Sequence, residues 1–355
     1  MLQGLGGGGL IALAFTVIAD CIPPREVGKY QGYISAVYAV SSIAGPLLGG
    51  YFTEQLSWRW IFWINLPLGA LALWLVNRNL GHLNVRRHSR FDWKGAGLLI
   101  TVTTLSLLLL SPETALSAIW LAAGLALALL LLILVERRAQ DPILPAHLAR
   151  LPGYLVSVLL ALASQLLMFA VLVYLPLQMQ WQKGMGASES GLYMVIFMVC
   201  ITAGAFVGGK LIGRTGYYKR FVVVGFALAA LALWQIHFDL FANLGLGFAG
   251  LGLGLVLPAL SVVVQNALPR EDRGIGMSLF NFGRELGGAV GVAICAVLFH
   301  GALPAGTSHN LASLSPAELA PGFSATYVGM AMIASAAFLI TLLALKRHEL
   351  ASIPA

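Results

Sequence analysis

The sequence predicts an all-α fold, a polytopic transmembrane helix bundle, on three observations. Of its residues, 59% are hydrophobic and only 10% charged, with a mean hydropathy of +0.86, whereas soluble domains carry about 25% charged residues. Apolar segments recur at the length that a hydrocarbon core about 30 Å thick demands, about 20 residues each. Basic residues gather in alternate connections, as the positive-inside rule requires.

Eleven such segments run roughly over 4–22, 31–53, 59–77, 94–111, 117–136, 154–177, 190–212, 221–238, 242–267, 278–300 and 325–345. Of the 21 Lys and Arg residues, 18 fall in one set of connections: at 25–29, 78–94, 137–150, 210–220, 270–273 and 346–347. The other set holds only Arg59 and Lys183, and Arg284 lies inside a segment. A missed helix would switch every later loop to the other side, so the asymmetry fixes both count and direction. It predicts a cytoplasmic C-terminus and residue 1 on the outer side. The net charge of +7 follows from this topology. Spread over six separate inner segments, it is no nucleic-acid footprint.

The ends of the segments carry their own signals. Asp92, in Phe91-Asp92-Trp93-Lys94-Gly95, reads as a helix N-cap. Glu189 suits a helix N-terminus. The connection 301–324 is rich in Pro, Gly, Ser and Ala and has no basic residue. Cys21, Cys200 and Cys295 are far apart, without metal or disulfide spacing, and read as small buried thiols. There is no GxSxG, Walker loop, HExxH or dinucleotide fingerprint in a credible setting. The chain reads as no enzyme, with no cofactor and no metal.

Several motifs sit where an inert anchor has no use for them. Gly45-Pro46-Leu47-Leu48-Gly49-Gly50 places small residues and a proline inside an apolar span. Glycines let helices approach closely, and proline frees a carbonyl and bends the helix. Gly45, Pro46, Gly49 and Gly50 therefore serve either close packing or a hinge. The Ser57–Gly69 run, SWRWIFWINLPLG, follows directly. Gly209-Lys210-Leu211-Ile212-Gly213-Arg214-Thr215-Gly216, then Lys219-Arg220, marks an inner turn. Arg284-Glu285-Leu286-Gly287-Gly288 places two charges within a span.

These runs resemble those of the major facilitator superfamily, in its fourteen-span drug:proton antiporters of the EmrB/QacA type. The first is similar to the antiporter motif of the fifth span joined to its WRWIFxINxPxG stretch. Leu2-Gln3-Gly4-Leu5-Gly6-Gly7-Gly8-Gly9 resembles the fourth span. The 209–216 run resembles the second copy of the inner-loop motif, whose positions are held here by Gly209, Gly213, Arg214 and Gly216. The 284–293 run resembles the penultimate span. The sequence departs at Ser41, where Gly is usual, at Gly213, where an acid is usual, and at Glu285, where Gln is common.

The resemblance implies eleven spans of a fourteen-span bundle, truncated at the N-terminus. Residues 1–77 would be the last three spans of the first bundle, 78–153 a cytoplasmic linker with two extra spans, and 154–355 a complete six-span second bundle. It implies a bacterial-type inner (plasma) membrane protein that exports small amphiphilic molecules against inward proton flow by alternating access. Membrane lipid and a periplasmic adaptor protein are the expected partners, and nucleic acid is not. An inactive or partner-dependent fragment, and a metabolite exporter of the same fold, are the alternatives.

The charged and polar residues within spans are the site candidates. An ionisable group in a span costs about 2.5–3.5 kcal/mol on insertion scales and marks a functional site by default. Glu285 heads the proton-coupling set, with Arg284 and Asp20. Adjacent helix residues point about 100° apart, so Arg284 is not automatically the partner of Glu285. Gln165, Tyr174, Gln178, Asn65 and Asn281 are candidates for a substrate cavity, or for hydrogen bonds between helices. Gln165 stands opposite the Tyr174/Gln178 face on a straight helix.

Overall fold

The computed structural model describes residues 6–7, 30, 33, 37, 40, 41, 44, 45, 48, 52, 56, 57, 59–80, 92–111, 117–139, 142–151, 153–238, 242–304 and 314–345. The chain divides into two units, residues 37–91 and the remainder. Among the described residues, eight helices are long and apolar enough to cross a membrane. The segments expected at 4–22 and 31–53 lie largely outside the described residues. The segment expected at 94–111 forms a shorter helix of 17 residues.

In the smaller unit, α1 (Trp60–Trp63) passes through Ile64 into α2 (Asn65–Leu80). Trp60–Asn79 is apolar on every side and has none of its span buried. In lipid this is a stable state, because the helix satisfies its own backbone and hydrocarbon solvates the side chains. Arg78 lies over the Trp74 ring at 5.2 Å, an arrangement that suits a helix end at the interface.

Within the larger unit, α3 (Trp93–Leu109) and α4 (Ala118–Glu136) form a hairpin. Asp92 caps α3 as its position predicts, its carboxylate accepting from the Gly95 N–H at 2.9 Å. Glu136 ends α4, and its Oε2 accepts from the Leu144 N–H at 2.9 Å. A Cβ on Gly95 would collide with both carboxylates, so the two helix ends close over this glycine. A short helix, α5 (Ala146–Ala149), then leads into the bundle.

Six long helices follow: α6 (Tyr154–Trp181), α7 (Ala187–Thr215), α8 (Tyr218–His237), α9 (Ala242–Ala267), α10 (Arg273–Gly301) and α11 (Pro316–Ala344). Glu189 lies in the first turn of α7, as expected. α9 packs on α7 and α8, α6 on α10, and α8 on α11. Glycines set the closest approaches. Gly283, Gly287 and Gly291 of α10 meet Val158, Leu162 and Leu166 of α6, a stripe in which both chains advance four residues per step. The two helices therefore run parallel. Gly250 and Gly254 of α9 meet the backbone at Phe197 and Ile201 of α7 in the same parallel sense. Gly225 of α8 and Gly252 of α9 face each other's carbonyls across an antiparallel crossing. Without a hydrophobic drive between helices in lipid, this intimate van der Waals contact is what association draws on. The core between them holds Leu160, Leu167, Phe197, Phe226, Leu233, Phe280, Phe323 and Tyr327, each almost fully buried. Cys295 is wholly buried in it and Cys200 half-buried, while Cys21 lies outside the described residues.

Candidate functional site

The charged candidates of the bundle sit near the middle of α10. The Arg284 side chain is 13% exposed and that of Glu285 48%. Arg284 Nη2 donates to Glu285 Oε1 at 2.9 Å. The two do form a pair despite pointing about 100° apart, because the long guanidinium side chain bends back along the helix. The sequence marks Glu285 as the costly buried charge. In the structure the arginine is the more buried and the carboxylate the more open.

Glu285 belongs to an exposed stripe. Phe282, Ala289 and Val297 share that side of α10 and are exposed. A carboxylate within an apolar stripe at mid-helix is costly against lipid. This side therefore suits a watery cavity or another protein surface. One turn before Glu285, Asn281 is 4% exposed, and its Nδ2 finds no hydrogen-bond acceptor among the described residues.

The other polar candidates separate. Gln165 is 3% and Tyr174 7% exposed, so both lie within the bundle formed by α6 to α11. Tyr174 sits against Phe299, with ring centroids 6.0 Å apart. Gln178 Nε2 donates to Gln182 Oε1 at 2.9 Å, a bond along its own helix. α6 stays continuous through Pro176. Asn65, in the smaller unit, donates to its own helix, at Ile61 O, 3.2 Å away. In that unit Ser57, Arg59, Trp60, Trp63, Leu66 and Pro67 line an open, largely apolar pocket of about 500 Å³. Gly45 is exposed, and a Cβ there would meet nothing within 4 Å. Asp20, Pro46, Gly49 and Gly50 lie outside the described residues.

The inner-loop motif forms the corner between α7 and α8. Gly216 takes a left-handed conformation, φ 72°, and ends α7, its N–H donating to Ile212 O at 2.8 Å. Glycine pays little for that backbone. Gly209 is buried, whereas Gly213 and Arg214 are exposed.

Two features escape sequence reasoning. His147 Nε2 lies 3.1 Å from Asp272 Oδ2, tying the stretch before α6 to the residue before α10. Beside it, the Tyr154 hydroxyl donates to Gly276 O at 2.8 Å, buried. Partners 125 and 122 residues apart leave no local signal. Among the described residues no group of three His, Cys, Asp or Glu side chains is arranged to hold a metal ion.

Parallel and antiparallel apolar helices locked by glycines, with a charged pair at mid-span, define a polytopic helical membrane protein. A family model described as Major Facilitator Superfamily matches residues 1–292, and the chain belongs to that superfamily. An uncharacterized MFS-type transporter of Mycobacterium tuberculosis is 34% identical over 311 residues, covering 84% of this chain and 45% of the relative. The multidrug transporter protein MdtP of Bacillus subtilis is 32% identical, covering 84% and 57%. The Acurin A biosynthesis cluster MFS-type transporter of Aspergillus aculeatus is 31% identical, covering 84% and 57%. The chain spans about half the length of these curated relatives.

Proposed function

We propose that the chain works in proton-coupled export of amphiphilic compounds by alternating access, as a member of the fourteen-span drug:proton antiporter type. The observation that carries this reading is Glu285, a half-exposed carboxylate in an apolar stripe at mid-helix, bonded to Arg284. A carboxyl there can take up a proton from one side and lose it to the other as water access alternates. Arg284 is the cation placed to pair with that carboxylate, its Nη2 2.9 Å from Oε1. The multidrug name of the Bacillus subtilis relative supports the substrate class.

Residues 154–355 then act as one six-span bundle, 1–77 as spans of the other, and 78–153 as the linker with two extra spans. The setting is an inner membrane with a cytoplasmic C-terminus, and a periplasmic adaptor protein completes the route outward. The name of the Aspergillus relative favours a second reading of the same transport cycle, export of a biosynthetic product.

The test is dye efflux from cells lacking their own pumps, with and without a proton gradient. Glu285→Gln is expected to lower gradient-driven efflux by at least about tenfold, the scale of a lost coupling free energy of 1–3 kcal/mol. Unchanged efflux in Glu285→Gln overturns the coupling role. Export of a biosynthetic product without dye efflux selects the second reading.

A further inference from the structure

The turn between α7 and α8 reaches across to the end of α11. Lys219, in the first turn of α8, donates from Nζ to Leu342 O at 2.9 Å and to Leu345 O. These carbonyls belong to the last turn of α11 and the residue that caps it. The last four carbonyls of a helix have no partner within it, and the C-terminal end of the helix dipole attracts a cation. Lys219 meets both needs at once. Leu345 is 1% exposed, so the cap sits against packed surface rather than in open solvent.

The corner that carries Lys219 is itself held. Gly216 ends α7 in the left-handed conformation, and Tyr218 begins α8 two residues later. Tyr218 is 4% exposed. The Arg220 guanidinium lies 4.4 Å from the centre of the Tyr217 ring. No slack remains between the helices, so the position of Lys219 follows that of α7. The residue of the motif where the family has an acid is Gly213, exposed and without neighbours, and it has no side chain with which to link anything.

We propose that in this chain the inner-loop motif acts through Lys219, a positioning residue that clasps the end of α11 to the α7–α8 corner, so that the three helices move as one during transport. The role in transport builds on the exporter reading above. The clasp itself does not depend on that reading.

The experiment measures hydrogen exchange over residues 336–345 of the full chain in lipid nanodiscs, alongside efflux kinetics, for Lys219→Met, Lys219→Arg and the control Arg138→Met, an exposed position outside the candidate site. The clasp predicts exchange about tenfold faster in Lys219→Met, the scale of a hydrogen bond to a charged donor. It predicts near wild-type exchange in Lys219→Arg and in Arg138→Met. Efflux is expected to fall in maximal rate, with KM kept, in Lys219→Met alone. Exchange within twofold of wild type in Lys219→Met overturns the clasp. Faster exchange with unchanged efflux overturns the positioning role. If Lys219→Met does not insert, Lys219→Ala, which has no donor, takes its place, and wild-type protection in it overturns the proposal. Absence of efflux in the wild type counts against the exporter reading alone, since the exchange measurement still decides the clasp.

Discussion

At the scale of single residues, the sequence locates charge and the structure assigns its exposure. Glu285 and Arg284 stand out because ionisable groups in spans are rare. Which of them is buried depends on α6 packing against one side of α10, and no local pattern encodes that. Tyr154 shows the same limit. Nothing in its local sequence points to a partner, yet its hydroxyl donates to Gly276 O, 2.8 Å away in α10. Tyr154→Phe removes one buried hydrogen bond and is expected to lower stability by about 1 kcal/mol, read as a drop in thermal midpoint in detergent. A variant as stable as wild type means that the carbonyl is satisfied within its helix and the hydroxyl contributes nothing. Gly213 offers the opposite case. Nothing lies within 4 Å of a Cβ there, so Gly213→Ala is expected to leave the midpoint unchanged.

At the scale of elements, glycine spacing was legible and its partners were not. The four-residue steps at Gly204/Gly208 and Gly283/Gly287/Gly291 announce close packing, and close packing is found. Their partners come from distant helices: Leu251 and Leu255 for the first pair, and Val158, Leu162 and Leu166 for the second set. A side chain at Gly287 would drive into the backbone of Leu162, which cannot move aside as a flexible side chain can. Gly287→Val is thus expected to cost at least about 2–3 kcal/mol of overpacking, seen as lost folded protein in size-exclusion profiles. Gly288→Ala meets only the Phe169 ring, at 3.0 Å, and is expected to be milder. Equal losses in the two variants would contradict a backbone-limited contact. Past residue 154 the expected segment and the helix coincide at α9, whereas α11 begins nine residues before the expected 325, inside the expected connection 301–324, because the Ser315 capping box starts the helix ahead of the apolar run. α3 fell below span length because its Asp92 cap and the turn at Leu110 bound it tightly.

At the scale of the whole molecule, charge asymmetry carries the topology. It predicts that a fluorescent protein fused after Ala355 glows and that a phosphatase fused there is inactive. A cysteine in place of Lys183 should react with a membrane-impermeant maleimide from outside. The reverse pattern inverts every span. The parallel sense of α6 with α10, and of α7 with α9, agrees with this alternation, since each pair is separated by an odd number of intervening spans. Cys295 adds a consequence of its own. Its thiol is fully enclosed among α6, α10 and α11, level with Tyr327, whereas Cys200 on α7 is half-buried. The chain thus carries a natural stopwatch. In a variant keeping only this cysteine, the rate at which a small thiol reagent marks Cys295 counts how often these helices part, and it does so in native membranes without any added probe.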